Sequence, residues 1–146
     1  MTGGVAGRTL MMGEVHVGDK LPELAVPVTR TLIVAGALAT RDYEDVHHDP
    51  QRAAERGTPD IYMSINHTNG LVSRYVTDWA GPGAVLTRLS TRLGVPNFPG
   101  DTMTLTGEVT DKTADTVRVA VTGTNSKGAH TASEVTLRLP AGREEA

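Results

Sequence analysis

The 146-residue chain has no cysteine and few aromatic residues, and each shortage excludes or disfavours particular classes of function. Without cysteine, disulfides and thiolate metal sites are excluded. One Phe, one Trp and three Tyr leave few rings on which nucleic-acid bases could stack. The formal net charge is −3 and no basic run stands out, so we expect no nucleic-acid partner.

Long apolar runs are also missing. No segment approaches the roughly 20 apolar residues that a membrane-spanning helix needs. The N-terminal sequence MTGGVAGRTLMMG lacks the charged, apolar and cleavage regions of a secretory signal. We therefore expect a cytoplasmic protein with no membrane association. A chain of this length is most simply one domain, and a deep binding site is easier to build where subunits meet.

The composition of the two ends predicts the limits of the domain. The first segment is Gly-rich and aperiodic, which predicts a flexible N-terminus over residues 1–12. The sequence GREEA follows shortly after Pro140 and predicts a C-terminal tail over residues 141–146. Residues 13–140 contain no linker, repeat or low-complexity stretch, so they are predicted to form a single domain.

The second half of the chain has the clearest strand pattern. Apolar and polar residues alternate in DTMTLTGEVT, DTVRVAVTGT and TASEVTLRLP. The turn sequences DKTAD and NSKG separate these segments, which predicts an antiparallel meander. AVLTRLSTRLGVP predicts a fourth strand, and LAVPVTRTLIVAGALA predicts a first strand that leads into a short helix.

One long helix is predicted before the meander. Either Asp60 or Ser64 can cap its N-terminus, and the Gly-Pro-Gly sequence at 81–83 ends it. Apolar residues recur at helical spacing in this segment: Leu71, Val72, Tyr75, Val76 and Trp79. Gly70 costs about 1 kcal/mol relative to Ala, which a close approach of helix to sheet would explain. The order of elements predicts an α+β domain with a helix packed on a sheet.

Acids and histidines concentrate in the segment ATRDYEDVHHDP. Asp42 and His47 would lie about 140° apart in a regular helix, whereas an irregular turn can bring them together over one water molecule. A solvent-exposed polar loop explains the same residues. A metal site is disfavoured, because adjacent His47 and His48 rarely ligate one ion and no His-x3-His spacing occurs. No nucleotide-binding fingerprint is present, so we expect no cofactor.

Several long motifs resemble those of the MaoC-like hydratases, also called the (R)-specific enoyl-CoA hydratase family. They are VGDKLPELAVPVTRT, RDYEDVHHDP, GLVSRYVTDWAGPGA and RLGVPNFPGDTMTLTGEV, in that order. Within the family, the second and third motifs are similar to those of the smaller subunits of two-component hydratases of steroid side-chain degradation. The resemblance extends from Val17 to Leu139. It implies a hot dog fold, in which an antiparallel sheet wraps around one long helix and subunits dimerise edge to edge.

The resemblance also implies a reaction: the addition of water to the α,β double bond of an acyl-CoA thioester. The family signature Gly-Asp-x-Asn-Pro-aliphatic-His places its Asp on Asp42 and its His on His47, without deciding which of them is the base. A backbone amide at Ile65, with Asn66 next to it, would stabilise charge on the thioester oxygen, although an alignment gap would place Gly70 there instead. The implied partner is a second MaoC-like chain, in a homodimer or a heteromer.

The sequence departs from the family pattern at three places. Arg41 stands where the signature has Gly, Glu44-Asp45 replace Asn-Pro, and Ile65 replaces the oxyanion glycine. The resembled steroid-pathway subunits also depart at several of these positions, which indicates a subtype. Two alternatives stay open: a non-catalytic subunit that completes a partner's acyl-CoA pocket, and a thioesterase. The Asp-x4-His spacing favours hydration.

Overall fold

The computed structural model describes residues 7–142. Its regular elements comprise three helices and five strands: β1 (Lys20–Pro27), α1 (Arg30–Ala39), α2 (Pro50–Glu55), α3 (Ile65–Ala80), β2 (Val85–Leu93), β3 (Thr102–Lys112), β4 (Val117–Asn125) and β5 (Gly128–Arg138). Two short 3₁₀ turns cover Met12–Glu14 and Asp45–His47. None of the described helices is long and apolar enough to cross a membrane.

The five strands form one antiparallel sheet in the order β1-β3-β4-β5-β2. The predicted meander is confirmed as β3, β4 and β5. In β4 every second residue is buried over most of the strand, because alternate side chains of a strand point to opposite faces of the sheet. The inward-facing side chains and the apolar face of α3 join in one core, so the α+β class is confirmed.

The long helix α3 begins and ends at residues that favour those positions. Ser64 is the N-cap, and its Oγ accepts a hydrogen bond from the N–H of His67 at 3.2 Å. The other candidate cap, Asp60, instead forms an ion pair with Arg30. Gly81 follows the helix with φ 95°, a left-handed conformation that glycine adopts without strain. The helix therefore starts and stops close to where the sequence predicts.

The explanation predicted for Gly70 is wrong. This glycine is exposed, and a Cβ atom built on it would meet no heavy atom within 4 Å, so the helix does not approach the sheet there. A close contact between helices lies at Gly36 of α1, where a Cβ atom would lie 2.1 Å from Nδ1 of His67. The helix α3 thus packs tightly against α1 at Gly36, not against the sheet at Gly70.

The predicted tails lie partly outside the described residues, which exclude 1–6 and 143–146. Within the described part, the N–H of Leu10 donates to the carbonyl of Ala80 at 2.8 Å, and Met12 is buried in the core. Packing therefore begins somewhat before residue 13. The division into 1–12, 13–140 and 141–146 stays a prediction.

Candidate active site

The end of helix α1 places Asp42. The N–H of Arg41 donates to the carbonyl of Leu38 at 3.1 Å, and the N–H of Asp42 donates to the carbonyl of Ala37 at 2.9 Å. This pair of bonds is a Schellman motif, which requires a left-handed residue just after the helix. Arg41 has φ 55° and is the one non-glycine residue with positive φ among residues 7–142. It occupies the position at which the family signature has glycine.

A short turn and an extended segment hold His47. The turn Asp45–His47 precedes α2, whose N-cap Asp49 accepts hydrogen bonds from two backbone N–H groups. His47 Nδ1 lies 2.7 Å from the carbonyl oxygen of Tyr62, while the N–H of Tyr62 donates to the carbonyl of Val46. A carbonyl can only accept, so Nδ1 carries the proton. In the neutral ring Nε2 therefore keeps its lone pair.

The structure brings Asp42 and His47 together. Asp42 Oδ2 lies 3.7 Å from His47 Nε2, and the two side chains are 17% and 9% exposed, respectively. This distance is too long for a direct hydrogen bond but suits one water molecule that contacts both atoms. An ionised carboxylate and an Nε2 lone pair both accept, so such a water can donate one hydrogen to each. The neighbouring His48 is exposed to solvent.

The N-terminus of α3 lies beside this pair. The Asn66 side-chain Nδ2 is 3.5 Å from Asp42 Oδ2. The backbone N–H groups of Ile65 and Asn66 have no hydrogen-bond partner in the part of the chain that the structure describes. Free N–H groups and the helix dipole both favour negative charge at this position. Gly70 lies inside the helix, where its N–H belongs to the helical hydrogen bonds.

Two ion pairs connect Arg56 to the turn that carries His47. Arg56, at the end of α2, contacts Asp45 Oδ1 at 3.1 Å and Glu44 Oε2 at 3.5 Å. Glu44 and Asp45 are the residues that replace the Asn-Pro of the signature, and sequence reasoning did not identify Arg56 as their partner. A depression of about 470 Å³ opens beside Asp42, and Tyr43 and Arg56 also line it.

Two other histidines lie partly or fully buried outside this pair. His130 is buried, with Nδ1 2.7 Å from the carbonyl oxygen of Val95 and Nε2 2.8 Å from Thr68 Oγ1. Burial lowers the pKa of His130 and that of His67. Among residues 7–142, no group of three or more acidic or histidine side chains is placed to hold a metal ion.

Comparisons with known proteins identify the family of the chain. The model of the MaoC like domain matches residues 14–131. The chain is 47% identical over 123 residues to the "3-oxo-4,17-pregnadiene-20-carboxyl-CoA hydratase beta subunit" of Mycobacterium tuberculosis, a match covering 84% of this chain and 95% of that protein. The chain therefore belongs to the MaoC-like domain family, whose members include hydratases.

Solved structures show the same fold. A chain of the ChsH1–ChsH2 complex from Mycobacterium tuberculosis superposes with a TM-score of 0.84 at 47% identity, covering 85% of this chain and 98% of that one. The unliganded R-hydratase PhaJ1 from Pseudomonas aeruginosa has a TM-score of 0.83 at 23% identity, covering 94% and 92%. The predicted resemblance and the hot dog fold are confirmed.

Proposed function

We propose that this chain is the catalytic subunit of an enoyl-CoA hydratase, which adds water to the α,β double bond of an acyl-CoA thioester. The observation that carries this proposal is the 3.7 Å approach of Asp42 Oδ2 to His47 Nε2, with Nδ1 held by the carbonyl of Tyr62. Membership of the MaoC-like family and the hydratase name of the 47% identical relative support it.

The proposed reaction begins with one water molecule between the two side chains. Asp42 and His47 each accept a hydrogen bond from it, so the oxygen lone pairs point away from both and toward the substrate. The water oxygen bonds to the β-carbon while one of the two groups takes a proton. The proton then passes to the α-carbon, so that H and OH have been added across the double bond.

The start of α3 stabilises the charge that develops during this step. As the oxygen attacks the β-carbon, electron density moves to the thioester carbonyl oxygen. The N–H of Ile65, with that of Asn66 next to it, donates to this oxygen at the positive end of the helix dipole. The isoleucine side chain does not prevent this contact, because any non-proline residue offers a backbone N–H.

We propose that a second MaoC-like chain completes the site and that the acyl group is bulky, as in a steroid side chain. The name of the relative specifies a pregnadiene carboxyl-CoA, and the similar solved chain belongs to a complex of ChsH1 with ChsH2. Strands β1 and β2 form the two edges of the sheet, and edge strands have backbone groups free to pair with another chain.

Hydration assays with Asp42→Ala and His47→Ala, alone and with a co-purified partner, test this function. Each substitution is expected to lower kcat by at least about 100-fold, the typical contribution of a general acid or base. His48→Ala is the matched control, because this neighbour is exposed. Full activity in both variants would instead favour a non-catalytic subunit, and release of free CoA without hydrated product would identify a thioesterase.

A further inference from the structure

The contact between Gly36 and His67 joins the two segments that carry the proposed site. Gly36 lies in α1, six residues before Asp42, and His67 lies in the first turn of α3, next to Asn66. The His67 ring lies so close to the α1 backbone that a Cβ atom on Gly36 would be 2.1 Å from Nδ1 and 2.4 Å from Cε1. Carbon atoms in ordinary contact are about 3.5–4.0 Å apart.

Hydrogen bonds hold the backbone on both sides of this contact. The carbonyl of Gly36 accepts a hydrogen bond from Thr40 Oγ1 at 2.7 Å, which ties it to the Schellman motif at the end of α1. The N–H of His67 donates to Ser64 Oγ, which fixes the start of α3. A change in the distance between α1 and α3 at this crossing would therefore also change the position of Asp42 relative to Ile65.

We infer that the His67 ring is a spacer that sets how far Asp42 lies from His47 and from the first N–H groups of α3. Gly36 is the residue that permits this spacing, which explains an unfavourable glycine in a helix interior. His67 is thus a positioning residue that acts through Asp42 and Ile65. This inference rests on the proposed hydratase function, because its consequence is measured as turnover.

Gly36→Ala is the direct test. The added Cβ atom would overlap the His67 ring, so the ring or α1 with its Asp42 must shift, and a misplacement of about 1 Å can cost about 100-fold in rate. We expect kcat to fall by roughly 10–100-fold with KM little changed, since the substrate contacts stay in place. Gly70→Ala is the matched control, because no atom lies within 4 Å of its Cβ position; it should leave kcat unchanged.

A double variant shows whether the effect of Gly36→Ala arises from its overlap with the His67 ring. His67→Ala removes the ring, so in Gly36→Ala/His67→Ala the new Cβ atom has room. The double variant should recover the kcat and Tm of His67→Ala alone. If Gly36→Ala is too unstable to assay, His67→Ala serves by itself and should lower kcat without raising KM, because the end of α1 loses its spacer.

All variants are assayed in the assembly in which the wild-type chain is active, either alone or with its co-purified partner. A folded Gly36→Ala protein with wild-type kcat, a loss seen only in KM, or a double variant that stays as impaired as Gly36→Ala would each overturn the inference. An inactive wild-type assembly would instead overturn the proposed function. In that case the recovery of Tm in the double variant still tests the contact.

Discussion

The Nδ1 atom of His47 lies 2.7 Å from the carbonyl oxygen of Tyr62, and this contact decides which ring nitrogen faces Asp42. The Tyr62 ring also meets the His47 ring edge-on, with centroids 5.1 Å apart. The next residue, Met63, donates its N–H to the carbonyl of Asn97 at 3.1 Å, so the segment is held from both sides. The imidazole is therefore oriented by backbone that leads directly into the cap of α3.

Arg41→Gly is expected to stabilise the protein. Arg41 adopts φ 55°, a conformation that costs an L-residue about 1 kcal/mol and that glycine adopts freely. Urea unfolding should show a gain of up to about 1 kcal/mol, and hydration should continue because the Schellman motif that places Asp42 is kept. Arg41→Val is the opposite control, since a β-branched residue is strained in this region. Equal stability of Arg41→Gly and Arg41→Val would contradict this account.

The main elements of the fold could be predicted from the sequence, because their signals are local. Alternating apolar residues and turn sequences indicate the meander, and a candidate cap at Asp60 or Ser64 together with the helical spacing indicates α3. The reason for a glycine is not local: Gly70 contacts nothing, whereas Gly36 is required by a residue in another helix. The close packing that the sequence suggested for Gly70 therefore occurs at Gly36 instead.

The candidate site, like the fold, could be predicted from the sequence only in part. The spacing of Asp42 and His47 permits a shared water only where the chain turns irregularly, and the structure brings the two side chains together. The contact between His47 and the carbonyl of Tyr62 could not be predicted, because every residue has a backbone carbonyl and the residue type gives no sign of it. Arg56 was missed because it depends on α2, a six-residue helix whose sequence carries little periodicity.

Ser64→Ala should weaken the start of α3. The Ser64 Oγ accepts from the His67 N–H, and loss of an N-cap costs about 1 kcal/mol. We expect a lower urea midpoint and a lower kcat, because fraying of the first turn moves the Ile65 N–H. Ser64→Thr keeps the hydroxyl and should retain most of both. Wild-type stability in Ser64→Ala would show that the cap contributes nothing.

Acid should destabilise the fold through His130. Burial lowers its pKa in the folded chain from the ordinary value of 6.5, so the unfolded chain binds the proton first. Stability should be full above about pH 6.5 and should fall as the pH decreases toward the lowered value. His67 shifts in the same direction and adds to the effect.

Urea unfolding at a series of pH values between about 5 and 8 measures this dependence. His130→Gln should be less stable at neutral pH, because the hydrogen bond to Thr68 is altered, but its stability should change less with pH. The exposed His48 provides the control, and His48→Ala should keep the wild-type profile. A His130→Gln profile as steep as that of the wild type would assign the acid sensitivity to other groups.

Asp42 and His47 are proposed to act on the same water molecule, and the kcat of the double variant Asp42→Ala/His47→Ala tests this most directly. Groups that act as a unit lose their effect together, so the double variant should be within a few-fold of the slower single variant. A double variant whose loss equals the product of the two single losses would show that the two groups act separately, and would contradict the account.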